Sequence, residues 1–381
     1  MLQKQKLSTL LILSFLIFHI CANAQDATEK DPAPTLHIGD DAPPLYVGQW
    51  LKGTPFKNFK KGKSYVIEYW ATWCGPCKAA MPHLSKLAAT YKGKIDFLGV
   101  DVMEDKKTPI QKIKHFVDSM GQRMDYAVAT DNNDLMIKEW LKAAGEDRKG
   151  IPHTFVVNAA GKIAWMGHPK DLPPVLEKIA GNNWDVKEAL ANYNEEQRLT
   201  KIDEEAMYHL INYVKSPNWA SSVDKPDSLL LEVEAIVGKE PKLKYATHIA
   251  IHTFNALLKT DMHKAYLYGK EAQKTSFFGD PISYYIMGNI ENSADSLPLT
   301  PEIFQLGIEA CQLEINQTVY PEIASTYRIY NRMANWYWRI NDHSKAIETQ
   351  EKAIADIKSK TSYAAKDLAS MEAQLEKYRQ Y

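Results

Sequence analysis

The sequence has almost no net charge, few cysteines and only one long hydrophobic run. Its 381 residues include 46 Lys and Arg against 47 Asp and Glu, a formal charge of −1. This excludes a strongly electrostatic nucleic-acid binder, because phosphate recognition needs a surplus of cations. Four cysteines are too few for a disulfide scaffold of this length. The one apolar run, at the N-terminus, excludes a multi-span membrane protein.

The first 24 residues have the three parts of a secretory signal peptide. Lys4 and Lys6 are positive, Leu7–Ile20 is apolar, and Ala22-Asn23-Ala24 is a small-x-small cleavage site. An apolar helix of 14 residues spans only ~21 Å of a ~30 Å hydrocarbon core, so cleavage after Ala24 is favoured over retention. We therefore expect an exported, periplasmic protein with a flexible leader at 25–36. A membrane-anchored form that faces the periplasm is the alternative.

The rest of the chain divides into two parts. A composition of 45% hydrophobic and 24% charged residues is typical of a soluble globular protein, and the length predicts two domains or slightly more. Residues 37–181 alternate β-rich and helical stretches, which predicts a parallel βαβ crossover, and Asn158–Gly161 predicts a closing hairpin. The predicted strands are Tyr65–Trp70, Ile95–Val102, Tyr126–Ala129, Thr154–Val157 and Lys162–Met166, and the predicted helices are Pro76–Tyr91, Pro109–Met120 and Leu135–Ala143.

Residues 182–381 have a helical pattern throughout. Large and small residues around Tyr330, Ala334 and Ala346 have the spacing of a tetratricopeptide helix pair. The small positions Ala265 and Ala346 are 346 − 265 = 81 residues apart, which is not a multiple of the ~34-residue repeat. We expect an irregular, tetratricopeptide-like array of helical hairpins that offers a surface to a protein partner. The predicted breaks are Ser216-Pro217, Asp224–Pro226, Gly238–Pro241, Gly279–Pro281 and Leu297–Pro301.

Cys74 and Cys77 lie where a buried-type strand turns into a helix. At this spacing they can close a small disulfide ring, with Cys74 exposed at the tip and Cys77 inside the first turn. The unpaired N–H groups and positive dipole of a helix N-terminus favour a thiolate on Cys74, and a thiolate is the attacking species in disulfide exchange. Gly75 permits the tight turn, and Pro76 needs no backbone donor there.

A CxxC pair can also be half of a zinc site. Zinc needs two further ligands, but the sequence has no second CxxC and no closely spaced histidine pair, and His83 and His115 are isolated. The sequence therefore favours a redox pair and predicts no metal and no other cofactor. Cys311 lies in a helical pattern without a nearby partner, and we expect it to be a buried apolar residue.

The first domain resembles the thioredoxin superfamily, in particular the exported TlpA- and ResA-like thiol–disulfide oxidoreductases grouped with the AhpC/TSA-type redoxins. The resemblance rests on three motifs in order: IGDDAP at 38–43, YWATWCGPCKAAMP at 69–82 and GIPHTF at 150–155. It covers about residues 37–180. It implies a central mixed sheet flanked by helices, which an all-α domain of helical hairpins follows.

The resemblance also implies roles for individual positions. Cys74 is the nucleophile and Cys77 the resolving thiol of a redox-active disulfide. Ile151-Pro152 is the cis-proline loop, whose backbone pairs with a substrate strand.

Five further residues lie within or beside these motifs. Trp73 either shapes access to the exposed sulfur, which its place in the motif favours, or is a packing tryptophan. Gly75 and Pro76 lie beside the substrate. Pro82 matches the proline that kinks the helix of the active site. His153, after the cis-proline position, is either a client contact or an exposed loop residue.

Glu68 lies six positions before Cys74, where thioredoxins keep a buried acid beneath the second cysteine. Strand alternation places it on the same side of the sheet as Val66 and Trp70, so we expect it to be partly buried, and burial raises the pKa of a carboxyl group. Glu68 is then suited to take the proton of Cys77 through a water. A solvent-facing glutamate on an edge strand is the alternative.

The expected activity is exchange of disulfides in client proteins, with electrons from a membrane thiol carrier. The Gly-Pro dipeptide between the cysteines resembles reducing thioredoxins, which favours a reductase over an oxidase. A periplasmic scaffold, whose helical domain binds a partner while the redox domain is incidental, is the alternative. A thiol peroxidase is disfavoured, because the residues before Cys74 lack the proline of the Pro-x-x-x-Thr-x-x-Cys pattern.

Overall fold

A computed structural model describes residues 33–214, 223–275, 282–317, 325–360 and 363–381. The expected signal peptide, most of the leader, and the predicted breaks at Ser216-Pro217 and Gly279–Pro281 lie outside these residues. The folded chain begins earlier than residue 37, because the Leu36 side chain is buried and the amides of Thr35 and Leu36 donate to the Ala143 carbonyl. None of the helices in the described ranges combines the length and the apolar character needed to cross a membrane.

The first part of the chain is built on a six-stranded mixed sheet with the order β1-β4-β3-β2-β5-β6. Strands β2, β3 and β4 are parallel neighbours, whereas β5 runs antiparallel to both β2 and β6, and β1 runs antiparallel to β4. The strands are β1 Val47–Lys52, β2 Ser64–Trp70, β3 Ile95–Asp101, β4 Ala127–Asp131, β5 His153–Val157 and β6 Ile163–Gly167. The predicted crossover and hairpin are confirmed, while the edge strand β1 was missed.

Helices cover both faces of this sheet. Helices α1 Gly75–Thr90, α2 Ile110–Met120 and α3 Leu172–Ala180 pack on one face, in a core that includes Val66, Trp70 and Cys77. The opposite face buries Tyr65, Ile67 and Tyr69 against a helical segment at Ile137–Lys142. Strict alternation along β2 therefore sends its even-numbered and odd-numbered residues into two separate cores. This is the thioredoxin-like fold that the resemblance implies.

The second part of the chain is helical, as expected. Its helices are α4 Val186–Leu210, α5 Pro226–Lys239, α6 Thr247–Thr260, α7 Met262–Ala272, α8 Ile282–Ser293, α9 Pro301–Gln317, α10 Thr326–Arg339, α11 His343–Ser359 and α12 Ala365–Arg379. Small residues let α10 and α11 approach closely, since Ala334, Ala346 and Ala353 are fully buried. The break between them is Asn341, with a φ of 62°.

Helix α4 belongs to both parts of the molecule. Its first two turns place Ala189, Leu190 and Tyr193 against the core on the β2 odd-numbered face, a spacing that puts all three on one side of the helix. Its second half places Leu199 and Leu210 in a core with α5 and α6. The expected boundary near residue 181 falls at the end of α3, but the two cores are joined by one continuous helix.

Candidate active site

A disulfide joins Cys74 and Cys77 at the N-terminus of α1, with an S–S distance of 1.99 Å. Cys74 is the N-cap residue, and its Sγ accepts the backbone N–H of Cys77 at 3.1 Å. The loop before it is tight, since the Cys74 amide donates to the Ala71 carbonyl at 3.1 Å. A sulfur in this place receives the N–H groups and the positive dipole that stabilise a thiolate.

Cys74 is less exposed than the sequence predicts. Its exposed fraction is 3% and that of Cys77 is 0%, whereas Trp73 is 58% exposed. The expected burial of Cys77 is confirmed, whereas the expected exposure of Cys74 is wrong. Cys74 is covered because the Ile151 segment lies over the disulfide and the Ile151 side chain packs against the core that contains both sulfurs. The exposed rim of the site consists of Trp73, Gly75 and Pro76.

The Ile151–Pro152 peptide bond is cis and lies beside the disulfide. The Ile151 carbonyl oxygen is 3.6 Å from the Cys74 Sγ, and Pro152 is buried. Sheet register brings the two segments together: the last pair between β2 and β5 is Tyr69–His153, so the residues before β5 run alongside those after β2. The structure therefore places Cys74, Cys77, Ile151 and Pro152 at one point, as the sequence grouped them.

Glu68 lies in the middle of the sheet on the Cys77 side. Its register partners are Gly99 of β3 and Thr154 of β5, and its strand neighbours Val66 and Trp70 share a core with Cys77. The residue is 1% exposed, and neither carboxylate oxygen has a hydrogen-bond partner among the described residues. Burial raises the pKa of Glu68 well above its ordinary value. The alternative of an edge-strand, solvent-facing glutamate is wrong, because β2 is a central strand.

His153 is neither an exposed loop residue nor placed at the surface for a client. It is 3% exposed, its ring lies edge-on to Phe155 with centroids 5.2 Å apart, and its Nδ1 is 3.7 Å from the Glu146 carboxylate. Burial lowers the pKa of His153 to about 4, so the imidazole is neutral near pH 7. The start of β5 turns this side chain into the core instead of toward the rim.

Sequence reasoning missed the residues that hold the loop before Cys74. The Thr72 amide donates to the Glu104 carboxylate at 2.5 Å, and the Trp73 indole donates to the Met103 carbonyl at 3.0 Å. The sequence could have indicated these contacts, because the carboxyl ends of the parallel neighbours β2 and β3 meet at one edge of the sheet and bring the segments that follow them together. Beside them Asp101 is 4% exposed, and burial together with the Glu104 charge raises the pKa of Asp101 to about 8.

Among the described residues, one further thiol stands apart from this chemistry. Cys311 is fully buried in the core to which the helices α6 to α10 contribute, and burial raises the pKa of its thiol to about 12. The expectation of a small apolar residue is confirmed. In the described part of the chain, no group of three or more His, Cys, Asp and Glu side chains is arranged to hold a metal ion.

The chain is similar to known proteins over its first part. Residues 51–118 match the family model Thioredoxin. Protein FixW of Rhizobium leguminosarum is 35% identical over 159 residues, which cover 40% of this chain and 70% of FixW. The thiol:disulfide interchange protein HelX of Rhodobacter capsulatus is 30% identical over 142 residues, 37% of this chain and 73% of HelX. A thioredoxin-family thiol:disulfide interchange protein of Chlorobium tepidum covers 38% of this chain and 97% of its own, at 24% identity and a TM-score of 0.31.

Proposed function

The chain belongs to the thioredoxin family of thiol–disulfide oxidoreductases, and we propose that it reduces disulfide bonds of client proteins with Cys74 as the nucleophile. The observation that carries the proposal is the Cys74–Cys77 disulfide at a helix N-terminus, with the Ile151 carbonyl 3.6 Å from the Cys74 sulfur. In the reduced chain, the same N-terminus favours a Cys74 thiolate. The Ile151-Pro152 backbone then offers an edge to an extended client segment.

The proposed exchange has two steps. The Cys74 thiolate attacks one sulfur of the client disulfide, so that the client S–S bond breaks, a Cys74–client bond forms, and the other client sulfur leaves as a thiolate. The Cys77 thiolate then attacks the Cys74 sulfur and releases the second client thiolate. The client gains two electrons and two protons, and the Cys74–Cys77 disulfide is left behind. A dithiol donor, which we propose to be a membrane thiol carrier, supplies the two electrons for the next cycle.

Glu68 is proposed as the proton acceptor for Cys77. Both groups lie on the same side of the sheet and are fully buried, so Cys77 has no direct access to solvent water for its proton. Burial raises the pKa of Glu68, so its carboxylate is a stronger base than that of an exposed glutamate. The exposed rim of Trp73, Gly75 and Pro76 is proposed to contact the client.

The proposed location is the periplasm. It rests on the signal-like segment at residues 1–24. Mass spectrometry of the mature chain from the cell envelope tests it, with a first residue at Gln25 expected. A chain that begins at Met1 in the cytoplasmic fraction would contradict it.

The experiment that tests the function is capture of clients on Cys77→Ser. Without the resolving thiol, the Cys74–client disulfide persists, and we expect covalent adducts that disappear on reduction in a non-reducing gel. Cys74→Ser/Cys77→Ser is the negative control, and Cys311→Ser is the matched control for removal of a thiol outside the site. Adducts that survive in the double variant, or none with Cys77→Ser, would refute the role of Cys74 and favour the scaffold alternative.

A further inference from the structure

A buried polar cluster joins helix α4 to the segment that leads into the cis-proline. Glu146 is 1% exposed, and its Oε1 accepts the Lys149 ammonium at 2.9 Å and the hydroxyl of Tyr193. Its Oε2 lies 3.7 Å from the Nδ1 of His153. A carboxylate removed from water needs such partners, because burying it uncompensated is costly. Tyr193 is the partner that comes from α4, while Lys149 and His153 belong to the segment itself.

The segment between Glu146 and His153 is short and geometrically determined. It contains one turn at Asp147–Lys149, then Gly150 with a φ of 75°, then the cis bond and the first residue of β5. Its two ends are held by Glu146 and by the pairing of His153 with Tyr69. Ile151, whose carbonyl lies 3.6 Å from the Cys74 sulfur, therefore comes only 151 − 146 = 5 residues after Glu146.

Tyr193 is tied to this segment in a second way. The Lys149 ammonium lies 5.7 Å from the centroid of the Tyr193 ring, within the range of a cation–π contact. Burial and the neighbouring Glu146 raise the pKa of the Tyr193 hydroxyl, so it remains a hydrogen-bond donor at any physiological pH. Further along α4, Leu199 and Leu210 are buried in the core of the helical part.

We propose that helix α4 positions the cis-proline loop for client binding through the hydrogen bond from Tyr193 to Glu146. The inference rests on the proposed function, since the loop is taken as the client site, and it gives the helical part a role in that site. Tyr193 and Glu146 are positioning residues, because neither touches the reacting sulfurs. The reaction of Cys74 itself does not depend on the hydroxyl, whereas the affinity for an extended client does.

The test is Tyr193→Phe in the full-length chain, which removes the hydroxyl and keeps the ring over Lys149. Tyr208→Phe is the matched control, because Tyr208 is on the same helix and 68% exposed. The probes are insulin, a polypeptide client reduced with dithiothreitol as the donor, and 5,5′-dithiobis(2-nitrobenzoic acid), a small disulfide that forms no strand pairing. We expect the insulin KM to rise about tenfold with kcat unchanged, and the small-disulfide rate to stay as in the wild type.

A second experiment tests the hydrogen bond between Tyr193 and Glu146 itself. In Glu146→Leu, which has no acceptor for the hydroxyl, removal of the Tyr193 hydroxyl is expected to change the insulin KM less than it does in the wild type, because a double-mutant cycle isolates the shared hydrogen bond. An unchanged insulin KM in Tyr193→Phe, or full additivity in the cycle, overturns the inference. Equal losses with both disulfides overturn it too, since they place the hydroxyl in the chemistry of Cys74. A wild-type chain inactive with both probes refutes the proposed function instead.

Discussion

Replacing Glu68 by glutamine isolates the ionisation of a carboxyl that is 1% exposed and has no hydrogen-bond partner among the described residues. Glutamine keeps the size of the side chain and is neutral at every pH. Burial raises the pKa of Glu68 well above 4.5, so between pH 4.5 and the raised value the folded chain holds a proton that the unfolded chain has released. The contribution of Glu68 to the free energy of unfolding is therefore fully present below that window. It falls by about 1.4 kcal/mol per pH unit across the window and is constant above it.

The free energy of unfolding of Glu68→Gln is expected to lack this decrease with rising pH. At pH 4.5 the variant and the wild type differ by about 1 kcal/mol or less, since both then bury a neutral polar group. With rising pH the variant becomes the more stable protein, by about 1.4 kcal/mol for each unit. Urea unfolding of the oxidised full-length chain, followed by tryptophan fluorescence from pH 4.5 to 9, measures the difference. The buried Asp101, with a pKa of about 8, contributes to both proteins and cancels.

The matched control is Glu177→Gln. This carboxyl is exposed on α3, so its replacement controls for the loss of a carboxylate at the protein surface. A Glu68→Gln difference that does not change with pH would show that folding leaves the pKa of the carboxyl unchanged. A variant that loses stability relative to the wild type as pH rises would show that the buried carboxyl is stabilised in its charged form. Either result would refute the reasoning.

Three further predictions concern the helical part. Cys311, whose burial raises the pKa of the thiol to about 12, should resist iodoacetamide in the native reduced chain while Cys74 is alkylated, and should react only after unfolding; mass spectrometry of the labelled peptides checks this. Gly307→Ala should destabilise the protein by about 1–3 kcal/mol, because its Cβ would lie 2.6 Å from the Trp336 ring. Gly288→Ala, whose Cβ would meet open space in the middle of α8, should stabilise the protein by about 0.5–1 kcal/mol. Thermal unfolding measures both variants, and shifts of the midpoint in the same direction would contradict the packing around Gly307. Asp203→Ala should cost about 2 kcal/mol in urea unfolding, since Asp203 is buried in α4 and accepts the amides of His248 and Ile249 at the start of α6; an unchanged midpoint would mean that water satisfies those amides.

The elements that the sequence predicts well are those with a strong local pattern. Strand β2 is an unbroken apolar and aromatic run around Glu68, and helix α1 begins at a Gly-Pro pair, so both were placed within a residue or two. Strand β1 was missed because its sequence VGQWLK has little β-branched content and its pairing with β4 is irregular. Only tertiary contacts define it.

The active site likewise has features that the local sequence predicts and features that only tertiary packing determines. The pairing of Cys74 with Cys77, and the nearness of Ile151 and Pro152, follow from motifs that occur in a fixed order along the chain. The burial of Cys74 and of His153 does not, because each depends on how the 146–153 segment packs after the sheet has formed. Glu104 and Tyr193 reach their partners across 32 and 47 residues of sequence, and no local pattern reports contacts of that separation.

The shared helix α4 also decides how the protein can be dissected. A fragment that ends at Gly181 keeps all six strands of the described sheet. It lacks Ala189, Leu190 and Tyr193, which pack against the core that contains Tyr65 and Ile67, and an exposed apolar surface favours aggregation. A fragment that ends between Tyr193 and Leu199 keeps that core covered. The boundary at which this protein can best be divided therefore lies in the middle of a helix and not in a loop.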